Sequence, residues 1–210
     1  MTHRTLILLR HGRTAWNATG QAQGHADIGL DEVGHVQAAA VAPCIAAYDP
    51  SALWTSDLTR AVETASYVEQ ATGLAAKSDP RLREFDVGDR QGLTMPEFES
   101  RFPDEYAAWL HDDERIAVPA AETTAEVAAR IVPALRECLE ALDDGTVGVV
   151  VTHGASLRVG MLGLLGWPQT QARDLCALSN CGRVVLAEDE ARGRLRLQAY
   201  DLRADPAPRG

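Results

Sequence analysis

The sequence lacks an excess of positive charge and any apolar segment long enough to span a membrane. Its 210 residues include 20 lysines and arginines against 30 aspartates and glutamates, a formal net charge of -10. Nucleic acids and anionic membranes bind basic faces, so we expect neither as a partner. The apolar run at residues 6–9 is too short for a signal peptide or a membrane span. These absences predict a cytoplasmic protein.

Paired cysteines are also lacking. None of the four cysteines forms a Cys-x-x-Cys pair, and no histidine cluster lies near Cys176 or Cys181. This usage is typical of reduced thiols in or near a cytosolic core rather than of disulfides or a zinc site.

Two apolar runs, residues 6–9 and 147–151, are typical of strands buried on both faces in a parallel sheet. Further strands are predicted at 51–54, 184–187 and 195–200, and amphipathic helices at 57–71, 122–142 and 156–165. Asp31 is placed to cap another helix, which we expect to break or kink at Pro43. The alternation predicts an α/β fold, a three-layer α/β/α sandwich with a mostly parallel central sheet.

Polar residues follow three of these strands at their carboxyl ends, where open α/β sheets bind ligands. Arg10 and His11 follow the first strand, Arg60 lies just beyond the second, and His153 follows the strand at 147–151. We therefore expect two arginines and two histidines to meet at one rim of the sheet.

These residue types suit phosphoryl transfer. The reaction needs a nucleophile in line with the leaving oxygen and positive donors around the other phosphate oxygens. Arginine binds phosphate oxygens in pairs and stays charged. Neutral histidine is a competent nucleophile near neutral pH, and a second histidine adds a donor if it is protonated. The leaving oxygen also needs an acid, for which Glu84 is the best candidate, with Asp86 and Asp89 as alternatives.

Four motifs follow one another along the chain: Arg10-His11-Gly12-Arg13-Thr14 with Asn17, Ser56-Asp57-Leu58-Thr59-Arg60-Ala61, Leu82-x-Glu84 with Gly88 and Gly92, and Thr152-His153-Gly154. In this order they resemble the motifs of the histidine phosphatase superfamily, the phosphoglycerate-mutase-like family, over nearly the whole chain.

The resemblance implies that His11 is phosphorylated during turnover and that Glu84 is the proton donor. It places Arg10, Arg60 and His153 around the phosphate. Asn17, Gly24 and Gly154 are expected to border the same phosphate. The resemblance implies no metal and no cofactor.

The sequence departs from the mutases of this family. Val87 stands where they usually have tyrosine, and Met95 stands where they have lysine. The insertion carries isolated arginines, such as Arg90, Arg101 and Arg115, instead of a pair. Groups that would hold a phosphoglycerate for re-phosphorylation are therefore missing, and we expect water to be the acceptor.

Residues 86–121 interrupt the strand–helix alternation. We predict a helical insertion over the active site, with its aromatic residues packed as core rather than as a ligand platform. The whole is expected to be one domain over 1–203, followed by a flexible tail at 204–210. Residues 86–114 hold nine carboxylates and two arginines, which disfavours heavily phosphorylated substrates.

The predicted function is a phosphatase acting on a small phosphate monoester, a sugar phosphate or phosphoglycerate derivative, through a phosphohistidine. The alternatives are a cofactor-dependent phosphoglycerate mutase, a phosphoprotein or phosphohistidine phosphatase, and a non-catalytic protein that binds phosphorylated partners. Arg13, Arg83 and Arg158 are further candidates for substrate contact. We expect a small phosphorylated substrate as partner, and a monomer or homodimer.

Overall fold

The apolar run that begins at Leu6 forms the central strand of a six-stranded sheet. In the computed structural model, which describes residues 3–111, 116–189 and 193–204, the strand order is β3-β2-β4-β1-β5-β6. The strands are β1 Thr5–Arg10, β2 Ala52–Thr55, β3 Lys77–Ser78, β4 Val147–Thr152, β5 Arg183–Asp189 and β6 Arg194–Leu202. The helices are α1 Ala15–Thr19, α2 Glu32–Ala46, α3 Thr59–Thr72, α4 Met95–Arg101, α5 Pro103–Leu110, α6 Thr124–Glu140 and α7 Gly154–Leu165. Arg115 and the predicted tail from residue 205 onward lie outside the described residues.

The sheet is parallel from β3 to β1 and antiparallel at its other edge. Strand β1 pairs in parallel with β4, with Leu8 opposite Val150, and pairs antiparallel with β5. Strands β5 and β6 are antiparallel as well. The predicted mostly parallel α/β sheet is therefore confirmed. As a result, β1, β2 and β4 all end at one rim.

Alternate residues of the central strands serve two separate cores. Leu8 and Val150 pack with α6 and α7, whereas Ile7 and Val149 pack with α2 and α3 on the opposite face. Both faces are buried, which explains why these strands read as continuous apolar runs rather than as alternating ones. The structure thus has the predicted three layers.

Helix α2 begins as expected but does not break at Pro43. The Asp31 side chain accepts a hydrogen bond from the N–H of Gly34 at 2.8 Å, and the helix continues to Ala46. The predicted break is wrong because Pro43 lies in the last turn. There its missing N–H removes only the hydrogen bond to the carbonyl of Ala39.

The insertion consists of α4 and α5, packed around Phe98. This side chain is fully buried, and its ring meets those of Phe102, Tyr106 and Trp109 at centroid distances of 6.3, 5.6 and 6.5 Å. The expectation of core packing is right for Phe98. It is wrong for Trp109, which is 47 % exposed and faces the cavity described below.

The four cysteines are unpaired, and Cys138 and Cys181 are buried. Burial raises the pKa of both thiols to about 12. Within the described ranges, no helix has the length and apolarity needed to cross a membrane. The single-domain assignment over 1–203 and the cytoplasmic location stay predictions.

Candidate active site

His11 directly follows the last residue of β1, and hydrogen bonds fix its backbone and its ring. Its backbone N–H donates to the carbonyl of Thr152 at 2.9 Å, and its Nδ1 lies 2.7 Å from the carbonyl oxygen of Gly12. Because a carbonyl only accepts, Nδ1 carries the proton and Nε2 keeps its lone pair. Burial, followed by the charges of Arg10 and Arg60, holds the pKa of His11 well below its usual value. The ring is therefore neutral at physiological pH.

The backbone after His11 is pressed against α2 and α3. The N–H of Gly12 donates to Oγ1 of Thr64 at 3.0 Å. A Cβ on Gly12 would lie 2.7 Å from the carbonyl oxygen of Gly34, and a Cβ on Gly34 would lie 2.0 Å from the carbonyl oxygen of Arg13. Two glycines are therefore needed for the loop to approach the helix this closely.

Arg60 in the first turn of α3 is fully buried beneath the rim. Its two terminal nitrogens donate to the carbonyls of Ala26 and Gly24, both at 2.8 Å, and its Nε donates to Nδ1 of His153 at 3.2 Å. Burial lowers the pKa of Arg60 to about 10, so it stays charged. Gly24, expected to border the phosphate, thus orients Arg60 through its carbonyl.

His153 lies behind His11 and is fully buried. Since Nδ1 accepts from Arg60, the proton is on Nε2, which donates to Oγ of Ser56 at 2.8 Å. The ring centroids of His11 and His153 are 5.2 Å apart. Burial, with the charge of Arg60, holds the pKa of His153 well below its usual value. Donation by a protonated His153 to the phosphoryl group therefore stays a prediction, since here both ring nitrogens bond to protein groups.

Arg10 occupies the opposite side of His11 and lines the cavity. Its Nη1 donates to the carbonyl of Leu178, while its buried Nε has no partner among the described residues. A Cβ on Gly154 would lie 3.2 Å from that Nε. The structure therefore puts Gly154 against Arg10, leaving room for the guanidinium. Its predicted contact with phosphate stays a prediction.

Asn17 in α1 presents its side-chain amide to the same cavity. Its Oδ1 accepts from the N–H of Thr14 at 3.1 Å and from Nδ2 of Asn180 at 3.2 Å. These bonds leave the amide nitrogen as the group free to donate to a ligand. Asn180, which sequence reasoning missed, also donates to the carbonyl of His11 at 3.2 Å.

Glu84 reaches the cavity from the turn after Leu82. Its carboxylate accepts from the N–H groups of Ser156 at 2.8 Å, Ala155 at 3.0 Å and Phe85 at 3.0 Å. Two of these donors belong to the first turn of α7, where unpaired N–H groups and the helix dipole favour an anion. The carboxylate is thus held in one orientation at the edge of the phosphate site.

The two alternative acids are placed differently. Asp86 lines the cavity, but its Oδ1 accepts from the N–H of Gly88 at 3.0 Å and its Oδ2 lies 3.6 Å from Nδ1 of His25. Asp89 is exposed and does not line the cavity. Of the three candidates, Glu84 is the one that both lines the cavity and bonds to the first turn of α7, next to His153.

The cavity above His11 has a volume of about 1120 Å³. Its lining includes His11, Arg10, Arg60, Asn17 and Glu84, together with residues of the insertion and of the start of α6. On the insertion side, Trp109, Leu110, Ile116 and Val118 contribute apolar surface. Within the described ranges, no group of three or more histidine, cysteine or carboxylate side chains is arranged to hold a metal ion.

Comparison with known proteins settles the family. A family model described as histidine phosphatase superfamily (branch 1) matches residues 6–201. The chain belongs to the histidine phosphatase superfamily.

Two groups of relatives stand out. A glucosyl-3-phosphoglycerate phosphatase of Mycolicibacterium vanbaalenii is 36 % identical over 193 residues, covering 89 % of this chain and 85 % of the relative. A probable phosphoglycerate mutase of Yersinia enterocolitica is 38 % identical over 180 residues, covering 84 % and 81 %. A solved mycobacterial glucosyl-3-phosphoglycerate phosphatase with VO3 superposes with a TM-score of 0.85, at 32 % identity, covering 94 % of this chain and 98 % of that one. Family, fold and the class of enzyme, a phosphoric monoester hydrolase, are thereby confirmed.

The three further arginines predicted to contact substrate have different surroundings in the histidine phosphatase fold. Nε of Arg13 pairs with Asp31 at 2.7 Å, and Arg83 pairs with Asp57 at 2.5 Å. Arg158 lines the cavity and donates to the carbonyl of Ala172 at 3.3 Å. Of the three, Arg158 is the one placed to meet a substrate.

Sequence reasoning missed Arg130 of α6. Its guanidinium donates to the carbonyls of Arg81 at 2.9 Å, Arg83 at 2.8 Å and Glu84 at 2.7 Å, and pairs with Glu122 at 2.7 Å. It therefore fixes the backbone that carries the candidate acid.

A signal for Arg130 was present. Position 130 follows Val127 by three residues and precedes Ala134 by four, so it falls on the buried stripe of α6. A charged residue on such a stripe needs a buried partner.

Proposed function

We propose that this protein is a phosphatase that hydrolyses a small phosphate monoester through a phosphohistidine at His11. The observation that carries the proposal is the state of that ring, which is neutral, carries its proton on Nδ1 and belongs to a residue that lines the cavity. A histidine prepared in this way attacks a phosphorus atom without first losing a proton.

In the first step Nε2 of His11 forms a bond to phosphorus as the bond to the ester oxygen breaks. Arg10, Arg60 and the amide of Asn17 donate to the remaining phosphate oxygens, where charge spreads in the transition state. Glu84 enters this step protonated and gives its proton to the leaving oxygen, which departs as an alcohol, and the N–H groups of Ala155 and Ser156 stabilise the carboxylate that remains. In the second step Glu84 takes a proton from water as the water attacks phosphorus, and inorganic phosphate leaves with His11 restored.

His153 supports this chemistry from behind the phosphate site. Its bond with Nε of Arg60 aligns the guanidinium, and Gly24 does the same from the other side. Gly154 makes room for Arg10. We assign these three residues to phosphate binding through the arginines that they position.

The substrate we propose is a sugar phosphate or phosphoglycerate derivative, with glucosyl-3-phosphoglycerate as the first compound to test. Support comes from the relatives named for that activity. The cavity of about 1120 Å³ exceeds the usual pocket range of about 300–1,000 Å³, so the leaving group has room for a glycosyl unit. Trp109, which lines the cavity and is partly exposed, offers that unit an apolar contact.

The phosphoglycerate mutase alternative is not favoured. Val87 lines the cavity without offering a polar group, and the Sδ of Met95 accepts from Arg90 at 3.2 Å. Interconversion of 2- and 3-phosphoglycerate faster than phosphate release would reverse this preference.

The test is phosphate release from an aryl phosphate and from a panel of sugar and glycerate phosphates. We expect His11→Ala to abolish release from every ester, vanadate to inhibit, and a chelator to have no effect. His35→Ala is the matched control, because His35 lies on α2 and bonds to the Tyr67 hydroxyl at 3.1 Å. Undiminished turnover by His11→Ala would show that the nucleophile is misassigned.

A further inference from the structure

Arg90 is a half-buried cation in the cavity wall, and it has no ion pair among the described residues. It ends the short 3-10 turn Gly88–Arg90, and its guanidinium carbon lies 4.6 Å from the ring centroid of Phe98 and 5.0 Å from that of Trp109. Its Nη2 donates to Sδ of Met95. Its buried Nε has no partner, and Nη1 makes no hydrogen bond within the described ranges.

Three other arginines near this site are satisfied by anions. Arg13, Arg83 and Arg130 each bind a carboxylate within 2.7 Å. Aromatic faces stabilise a desolvated guanidinium only in part, and burial lowers the pKa of Arg90. A half-buried cation that lines a ligand cavity and has no anion among the described residues is suited to an anion that the ligand brings.

The geometry of the free donors limits the kind of anion. Both terminal nitrogens of Arg90 retain an N–H for a ligand, and such a pair is accepted in parallel by a carboxylate. A second phosphate carries a charge of about -1.5 to -2 and would meet three further carboxylates that line the cavity, Asp86, Glu105 and Glu122. A singly charged carboxylate fits this balance better.

We propose that Arg90 binds a carboxylate on the leaving group, so that the protein prefers phosphate esters of hydroxy acids. The inference rests on the proposed function for its turnover assay. It assigns to the insertion a specificity residue that differs from the arginine pair of the mutases.

The experiment uses two esters that differ only in the group of interest. 3-Phosphoglycerate carries a carboxylate where glycerol 3-phosphate carries a hydroxymethyl group. We expect Arg90→Met to lower kcat/KM for 3-phosphoglycerate by about 10- to 100-fold, the range for a hydrogen bond between charged groups, mainly through KM. Turnover of glycerol 3-phosphate should change less than about threefold, which is within the variation of a surface substitution.

Arg101→Met is the matched control, because Arg101 lies in the same insertion, stacks on Phe102 at 5.4 Å and does not line the cavity. It should leave the ratio of the two kcat/KM values unchanged. Equal losses on both esters with Arg90→Met, or an unchanged ratio, would overturn the assignment. Arg90→Lys keeps the charge and serves if the methionine variant does not fold; it should lower the ratio by a smaller factor.

Calorimetry separates this inference from the proposed function. In a His11→Ala background, 3-phosphoglycerate should bind more tightly than glycerol 3-phosphate, and Arg90→Met should remove the difference. If the unmodified protein hydrolyses no ester of the panel, the proposed function fails, yet the binding difference still decides the role of Arg90. Equal affinities for the two esters in the His11→Ala protein would defeat it.

Discussion

Replacing Arg130 by methionine tests how far the active site depends on the backbone that carries its acid. Methionine keeps the unbranched stem and removes the guanidinium, which binds the carbonyls of Arg81, Arg83 and Glu84 and both oxygens of Glu122. Although burial opposes it, the hydrogen bonds from Arg130 and from the N–H of Asp86 hold the pKa of Glu122 below its usual value. After the substitution, water must replace the guanidinium as the hydrogen-bond donor to these carbonyls and to Glu122.

The expected loss of stability is moderate. The Arg130 and Glu122 side chains are 19 % and 22 % exposed, so water reaches part of the cluster. Hydrogen bonds to charged groups contribute about 1.5–3 kcal/mol each and do not add. We therefore expect the free energy of unfolding to fall by about 2–4 kcal/mol, which leaves a domain with a typical stability of about 5–15 kcal/mol folded.

The loss of activity should depend on the leaving group. A general acid contributes about 10²–10⁴-fold, and a displacement of about 1 Å costs about 10²-fold. We expect Arg130→Met to lower kcat about 10- to 100-fold for alkyl esters such as glycerol 3-phosphate. An aryl phosphate, whose leaving group departs with less help from an acid, should lose much less.

The assay compares kcat for the two ester types in Arg130→Met and in Arg136→Met, which removes an exposed arginine from the same helix. Equal losses on aryl and alkyl esters would refute the reasoning, because a disturbed acid must affect poor leaving groups more. Rescue of the alkyl ester by Arg130→Lys would show that one donor to the turn suffices.

Two further predictions concern stability. Buried His11 and His153 resist protonation, whereas the same histidines in the unfolded chain take up protons near pH 6.5. The free energy of unfolding should therefore fall as the pH drops below about 6.5, by up to about 1.4 kcal/mol per pH unit for each histidine. Urea unfolding between pH 7.5 and 5.5 measures this, and a stability that does not change with pH contradicts it. Gly34→Ala places a methyl group 2.0 Å from the carbonyl oxygen of Arg13 and should destabilise the protein by about 1–3 kcal/mol; an unchanged urea midpoint would count against the close approach.

Much of the fold was predictable because apolar residues recur with different spacings in its strands and in its helices. The runs at Leu6 and Val147 have four or more consecutive apolar residues, and only a strand covered on both faces requires that. Pro43 misled the prediction, since propensity does not reveal that a proline falls in the last turn of a helix. Trp109 also misled the prediction, because the sequence does not indicate which side of an amphipathic helix faces a cavity.

Site residues that directly follow a strand could be predicted. Contacts between residues far apart in the sequence could not. His11 and His153 could be placed at one rim from the topology alone. The hydrogen bond from Arg60 to His153 spans 93 positions, and that from Arg130 to Glu84 spans 46. Pairs so far apart in the chain produce no periodic pattern in the sequence. Their local sign is a charged residue on the buried stripe of a helix.

Arg10 and Arg60 act on the nucleophile as well as on the phosphate. In a chain with a net charge of -10, a phosphate dianion is repelled at long range and needs the local cations of Arg10 and Arg60 to bind. The same two charges disfavour a proton on His11, which keeps its ring nucleophilic below the pH at which a free histidine becomes protonated. As the ester bond breaks, negative charge develops on the leaving oxygen. The proton from Glu84 neutralises that charge, which passes to a carboxylate held by the N–H groups of Ala155 and Ser156.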